Sequence, residues 1–252
     1  MSDLPPPIPA ATLVLMRQSE SGAPQLLMME RPGHMAFAAG ALVFPGGRIE
    51  AQDHEDAARL ADGSDLAALK IGAIRETLEE TGAAAGLRPV PSADELRRLR
   101  QDLVGGAPLS GLLGEHRLEL ALDELVPFAR WCPNFKETRR FDATFFLAAA
   151  PANAPEPTAQ AGEAVRTFWA SASEVLAEIE AGRAHAIFPT VRNLERLARF
   201  GSFEEARADA ERHEVRTITP WVERRGERDF VCIPDDAGYP VTSEPLETAK
   251  RR

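Results

Sequence analysis

The chain has 252 residues, a net charge of −10 and a pI near 5.1, and this acidity argues against a nucleic-acid surface built on bulk charge. Its two cysteines, Cys132 and Cys232, suit a reducing compartment better than a disulfide framework. No apolar run approaches the ~20 residues of a bilayer span, and the first residues lack the pattern of a secretory signal. We therefore expect a cytoplasmic protein without a nucleic-acid or membrane partner.

Apolar runs and turn residues predict alternating strands and helices along the chain. The first half contains predicted strands at 11–17, 25–31 and 41–44 and helices at 66–81 and 93–104. The second half contains predicted strands at 125–132, 141–150 and 165–169, helices at 171–181, 189–200 and 203–213, and a hairpin at 215–224 and 228–233. This order is typical of an α/β fold built around a mixed sheet.

We predict three regions along the chain. Residues 1–10 are Pro-rich and form a flexible arm, and residues 11–188 form the main domain. Residues 189–252 form a helical extension and a polar tail that pack on the same domain.

An acidic octet at residues 75–82 reads Arg-Glu-Thr-Leu-Glu-Glu-Thr-Gly. On a helix, Glu76, Glu79 and Glu80 share one arc of roughly 100°, opposite an apolar face. Like charges at this spacing destabilise a helix by a few tenths of a kcal/mol per pair. A hard divalent cation such as Mg²⁺ would offset that cost, although an acidic helix face is also typical of solvated surface.

A glycine turn lies upstream of the octet. An apolar run ends at Pro45 and is followed by Gly46 and Gly47, with an acid at Asp53. Paired glycines after a strand let the backbone approach a ligand closely. A carbonyl group in such a turn can complete a metal shell that carboxylates begin.

Together the two segments resemble the Nudix box, G-x5-E-x7-R-E-U-x-E-E-x-G-U, in which U is a bulky aliphatic residue. The matching residues are Gly47, Asp53 in place of Glu, Arg75, Glu76, Glu79, Glu80 and Gly82. The sequence departs from the pattern by an insertion of about 14 residues at 54–67, which we expect to form a short helix and turn. Thr77 and Ala83 are also weak versions of the aliphatic positions.

The resemblance implies an α/β/α sandwich, here with extra C-terminal helices, and an enzyme that cleaves the diphosphate of a nucleoside linked to another group. It implies Mg²⁺ or Mn²⁺ held by the Gly46 carbonyl and by Glu76, Glu79 and Glu80. One of the glutamates would accept the proton of the attacking water. Arg75 would pair with Asp53 and brace the loop against the helix.

Residues outside the box are further candidates. Glu163 stands where many Nudix proteins carry a late-loop acid that acts as a ligand or base, but it also fits a solvated loop residue. Residues 26–47 resemble the coenzyme A diphosphatase branch, in which Arg31 and His34 would meet phosphates. Arg140 would bind phosphate in the same way. Alternatively, Arg31 only ends a strand, and Arg140 flanks a solvated sheet edge.

The favoured activity is a Mg²⁺-dependent diphosphatase that acts on coenzyme A or acyl-CoA. The first alternative is a Nudix hydrolase of ADP-ribose, dinucleotides or nucleoside triphosphates. The second, from another functional class, is a non-catalytic nucleotide-sensing module. Many relatives with this architecture pair into dimers, so a homodimer is a further expectation.

Overall fold

The computed structural model describes residues 5–20, 22–35, 38–134 and 140–249. The strands are β1 (Ile8–Arg17), β2 (Gln25–Glu30), β3 (Leu42–Val43), β4 (Gly46–Arg48), β5 (Leu87–Arg88), β6 (Glu119–Leu120), β7 (Val126–Trp131), β8 (Phe141–Ala149), β9 (Arg166–Ser171), β10 (Thr217–Ile218), β11 (Trp221–Arg225), β12 (Arg228–Cys232) and β13 (Ser243–Pro245). The helices are α1 (Ala51–Leu60), α2 (Asp65–Thr81), α3 (Ala93–Val104), α4 (Leu109–His116), α5 (Ala172–Glu180), α6 (Phe188–Leu197), α7 (Phe203–Arg212) and α8 (Leu246–Ala249).

A mixed sheet of eight strands organises the described part of the chain. Its order is β10-β7-β8-β1-β2-β3, with β4 paired to β1 and β9 paired to β2. β1 runs parallel to β8 from the pair Ile8 and Phe141 to the pair Met16 and Ala149. β4 pairs antiparallel with the first half of β1, so the glycine turn lies against the centre of the sheet.

The two faces of the sheet bury separate apolar clusters, because successive side chains of a strand point to opposite faces. From β1, Leu13 belongs to the cluster that contains residues of α2, α3 and α4. Its neighbour Val14 belongs to the cluster that contains residues of α5, α6 and α7. Helices therefore cover both faces, which confirms the predicted α/β sandwich around a mixed sheet.

The octet lies at the end of α2, which matches the predicted helix within one residue at its start. The Ser64 hydroxyl accepts from the Ala67 N–H at 3.1 Å and caps the first turn. Gly82 ends the helix in a left-handed conformation, with φ of +64°. The insertion at 54–67 forms most of α1, an exposed turn and the start of α2.

The described residues near both ends of the chain contain regular structure that the sequence did not predict. β1 begins at Ile8, inside the predicted arm, because Ile8 pairs with the first residue of β8. The segment predicted as a polar tail from residue 235 contains β13 and α8. Within it, the buried Tyr239 hydroxyl donates to Asn193 at 2.7 Å and accepts from the Trp131 indole at 3.1 Å. The division of the chain at residue 188 stays a prediction.

No helix in the described ranges is both long and apolar enough to cross a bilayer. Cys132 and Cys232 are both free thiols and buried.

A buried ion pair joins α6 to α7 and to the sheet. The Arg196 Nε donates to the Asp209 carboxylate at 2.9 Å, and Nη1 donates to the Phe128 carbonyl of β7 at 3.1 Å. Arg196 is 1% exposed and Asp209 is 2% exposed, so neither charge has access to water. Losing Asp209 would leave the buried guanidinium of Arg196 without its counter-charge.

We predict that Asp209→Asn lowers the free energy of unfolding by about 3–5 kcal/mol, because the Arg196 guanidinium loses its counter-charge in the interior. Urea unfolding followed by circular dichroism measures the change. The control is Glu211→Gln, which alters the solvent-exposed Arg207–Glu211 pair of the same helix and should change stability by less than about 0.5 kcal/mol. Equal effects of the two substitutions would contradict the role given to the buried pair.

Candidate active site

The glycine turn brings the backbone against both the sheet and α2. Gly46 has φ of +155°, and a Cβ atom there would lie 2.4 Å from the Ala11 carbonyl oxygen. A Cβ atom on Gly47 would lie 2.4 Å from the Glu76 carboxylate carbon. A larger residue at position 46 would collide with the Ala11 carbonyl, and one at position 47 would collide with the Glu76 carboxylate. The Gly47 backbone therefore lies directly beside the first carboxylate of the octet.

Arg75 connects the turn, α1 and α2. Its Nε donates to one carboxylate oxygen of Asp53 at 2.8 Å, and its Nη2 donates to the other at 3.0 Å. Nη2 also donates to the Arg48 carbonyl at 3.2 Å. Asp53 is fully buried, and Arg75 is 7% exposed. The pair spans residues 54–67, so two residues that are 22 apart in sequence meet, as expected from the resemblance of both segments to one motif.

The remaining terminal nitrogen of Arg75 holds two acids of the octet. Nη1 donates to Glu76 and to Glu79, each at 3.0 Å. Burial alone would lower the pKa of Arg75, but its bonds to Asp53 and the nearby carboxylate charges raise the pKa above its ordinary value. The guanidinium therefore stays charged, and it neutralises only part of the acidic cluster.

The acids themselves carry shifted pKa values. Burial is the main cause that raises the pKa of Glu76 to about 7, and the charge of Glu79 adds to it. Burial, followed by the charge of Glu76, raises the pKa of Glu80 to about 8, although the Gly46 N–H donates to its carboxylate at 2.8 Å. Burial likewise raises the pKa of Glu79. Three carboxylates thus share a site with too little positive charge.

A cavity of about 450 Å³ opens beside these acids. The sequence-predicted site residues that line it are Arg31, Gly46, Gly47, Glu76, Glu80, Arg140 and Glu163. Three predicted residues are not among its lining residues: Arg75 lies behind the acids on the buried Asp53, Glu79 contacts Arg75, and His34 lies exposed on the loop after β2. Arg31 is half-buried, and among the described residues its Nε has no hydrogen-bond partner.

The loop that carries Glu163 is fastened to the end of α2. Backbone N–H groups of Thr158 and Gln160 donate to the carbonyls of Thr81 and Glu80, at 2.7 and 3.0 Å. Arg100 strengthens this junction, because its guanidinium donates to the carbonyls of Glu79 and Glu80 and to the Thr158 hydroxyl. Glu163 is exposed, and its charge adds to the burial that raises the pKa values of the octet acids.

Several lining residues carried no recognisable sequence pattern. Phe44, Trp131 and Phe145 form an aromatic wall, and Ile187, Pro189 and Thr190 come from the start of α6. Apolar strand residues look the same in sequence whether they face a cavity or a filled core. Only the pleat of the strands, in which i and i+2 share a face, could have grouped Ala143 with Phe145.

The donor set suits a hard divalent cation, although its side chains are not arranged around one. In the described ranges, no group of three or more His, Cys, Asp or Glu is positioned to hold a metal ion. The reason is visible at Arg75, whose Nη1 holds both Glu76 and Glu79. Carboxylate and carbonyl oxygens are nevertheless the ligands that Mg²⁺ prefers, and among the described residues Arg75 alone faces the charges of Asp53, Glu76 and Glu79. The chemistry of the site therefore fits Mg²⁺.

We predict that the metal-free protein becomes less stable as pH rises from about 4.5 to about 8. Over this window folded Glu76 and Glu80 keep protons that the unfolded chain, with an ordinary glutamate pKa of 4.5, has already lost. The folded state then binds more protons than the unfolded state, so the free energy of unfolding falls with pH and levels off above pH 8. Urea unfolding in EDTA at several pH values measures this slope.

Glu80→Gln should reduce the slope, since the neutral amide cannot titrate, whereas Glu204→Gln at an exposed position should leave it unchanged. Mg²⁺ added at pH 8 should restore stability, because a ligand that binds only the folded state stabilises it. A wild-type slope that matches that of Glu80→Gln would refute the prediction.

No protein-family model matches this chain, and no curated protein sequence matches it. Among solved structures, it is similar to a Nudix hydrolase from Alicyclobacillus acidocaldarius, with 29% identity, 81% of this chain and 96% of that chain covered, and a TM-score of 0.71. Weaker similarities include the Nudix domain of Shewanella oneidensis NrtR complexed with ADP ribose, with 14% identity, 78% and 88% covered, and a TM-score of 0.43. A Nudix-family hydrolase from Clostridium perfringens gives 14% identity, 77% and 95% covered, and a TM-score of 0.40. The chain therefore has the Nudix fold, and its similarity to the Alicyclobacillus enzyme supports a hydrolase of the Nudix family that acts on pyrophosphate bonds.

Proposed function

We propose that this chain hydrolyses the diphosphate of coenzyme A or its acyl esters, with Mg²⁺ or Mn²⁺ as cofactor. The observation that carries the proposal is the cavity, which joins the acidic end at Glu76 and Glu80 to an aromatic wall. Such a cavity suits a substrate with a diphosphate at one end and a ring or chain at the other. The choice of coenzyme A rests on the resemblance of residues 26–47 to the coenzyme A diphosphatase branch.

In the proposed site, the Gly46 carbonyl, Glu76, Glu79 and Glu80 would hold the cation. When bound, the cation supplies charge neutralisation for the diphosphate oxygens and lowers the pKa of a coordinated water. The chain also provides the group that accepts the proton of the attacking water. We assign this role to one of four residues: Glu76, Glu79, Glu80 or Glu163. The fastened loop keeps Glu163 at the cavity for this purpose.

The basic residues bind and position the substrate. Arg31 lines the cavity with a buried, unpaired Nε among the described residues, and it can donate to a phosphate oxygen. Arg140 donates its Nε to the Pro133 carbonyl at 3.2 Å and lines the same cavity from the position just before β8. His34 remains a proposed phosphate contact from the loop after β2. Arg75 holds the octet against Asp53 and is a positioning residue in this scheme.

A substitution at Gly47 tests whether the position of the Glu76 carboxylate matters for turnover. Gly47→Ala would push a methyl group into the Glu76 carboxylate, and we expect kcat/KM to fall about 100-fold, as for a misplacement of about 1 Å. Stability should change by less than about 1 kcal/mol, since the displaced group is the end of a flexible side chain.

Gly114→Ala is the matched control, because a Cβ atom on this α4 residue meets nothing within 4 Å. It should leave turnover unchanged and stabilise the helix by up to about 1 kcal/mol. If Gly47→Ala retains wild-type kcat/KM, the Glu76 carboxylate is not part of the catalytic arrangement.

The substrate is tested by product analysis. Wild-type enzyme with Mg²⁺ should release adenosine 3′,5′-bisphosphate from coenzyme A, and Glu79→Gln should lower kcat by about 100-fold or more while urea unfolding stays close to wild type. A panel with ADP-ribose, a dinucleotide and a nucleoside triphosphate ranks the alternatives by kcat/KM. No bisphosphate from coenzyme A would exclude the favoured substrate. Unchanged turnover in Glu79→Gln would exclude the catalytic assignment of Glu79.

A further inference from the structure

The floor of the cavity crosses four neighbouring strands. Gly47 of β4 pairs with Ala11 of β1, Ala10 of β1 pairs with Ala143 of β8, and Ala143 pairs with Trp131 of β7. Three steps of about 4.8 Å separate the diphosphate end at Gly47 from Trp131, roughly 14 Å in all. Small alanine side chains in the middle leave room above the sheet for a bound group.

The segment before α6 forms the opposite wall. The Leu42 N–H donates to the His185 carbonyl at 2.8 Å, which fixes this segment to β3. Further along, the Phe188 ring meets Trp131 edge-on at a centroid distance of 6.0 Å. The first turn of α6 therefore lies at the end of the cavity that is farthest from the acids.

This end of the cavity presents unused polar groups. Ile187 precedes α6 without a side-chain cap, so N–H groups of the first helical turn lack an internal partner. Thr190 lines the cavity and is 3% exposed, yet among the described residues no hydrogen bond involves its hydroxyl. A hydroxyl beside a cavity that has no partner in the described protein can donate a hydrogen bond to a ligand group there, or accept one from it.

We propose that Thr190 and the first turn of α6 bind the edge of a nucleobase. The walls beside them are the rings of Phe44, Phe145 and Trp131, which suit a flat heteroaromatic ring. A neutral acceptor atom on the ring can receive a hydrogen bond there. A charged group at this end, in addition to the diphosphate at the other, would lose its hydration against the apolar walls. A ribose links such a base to the diphosphate at the acidic end. This assignment rests on the proposed function, because it takes the substrate to be a nucleotide.

Binding of adenosine 5′-monophosphate and ribose 5-phosphate, which differ only by the base, tests the proposal without catalysis. With Mg²⁺ present, wild type should bind the nucleotide at least about 10-fold more tightly than the sugar phosphate. Thr190→Val keeps the side-chain shape and should weaken only the nucleotide, by about five-fold, as for one neutral hydrogen bond. Thr190→Ser keeps the hydroxyl and should restore the wild-type affinity. Calorimetry measures all three.

Equal affinity of wild type for the two probes would overturn the proposal, and so would a Thr190→Val variant that weakens both probes equally or neither. A direct measurement on wild type guards against misfolding of the variant: an NMR contact between adenine protons and the Thr190 methyl group is expected, and its absence also overturns the proposal. If the NMR contact is seen but coenzyme A is not hydrolysed, only the choice of coenzyme A as substrate is excluded. If coenzyme A is hydrolysed but the contact is absent, only the proposed base site is excluded.

Discussion

The forked pair between Arg75 and Asp53 is the interaction on which the site depends. It is buried from water, and it joins the loop after β4, the first turn of α1 and the last turns of α2. A lysine could not replace the arginine, because its ammonium cannot hold both oxygens of Asp53 in one plane and still reach Glu76. The positions of the Glu76 and Glu79 carboxylates therefore depend on one guanidinium.

That guanidinium also explains why the acids fit a cation chemically but are not gathered around one. Arg75 holds Glu76 and Glu79, while Glu80 is held by the Gly46 N–H on the turn. A bound cation and Arg75 would draw on the same carboxylates. Hydrogen bonds from Arg75 and Gly46 thus hold the acids in place, and burial raises their pKa values.

The sequence predicted the elements that depend on local rules and on a spaced motif. The acids of α2 follow from helical periodicity, the turn from two adjacent glycines, and the Asp53 contact from the Nudix pattern despite its insertion. The far wall was not predictable, since Thr190 and Trp131 meet the box through strand order and helix packing. The start of β1 was not predicted, because the proline-rich composition of residues 1–10 does not indicate a strand. Its position is determined by pairing with β8. Residues 235–249 were missed because their order comes from buried contacts such as Tyr239 with Trp131.

The turn between α1 and α2 is a point at which the chain could be divided without removing any residue of the site. Ala61, Asp62 and Gly63 are exposed, and the chain on either side is held by the ion pair and by the helices packed on the sheet. Exposed turns of this kind tolerate cleavage and insertion. The glycine turn and the acidic octet could accordingly be carried by separate polypeptides, and recovery of hydrolysis would then report that the fragments had reassociated.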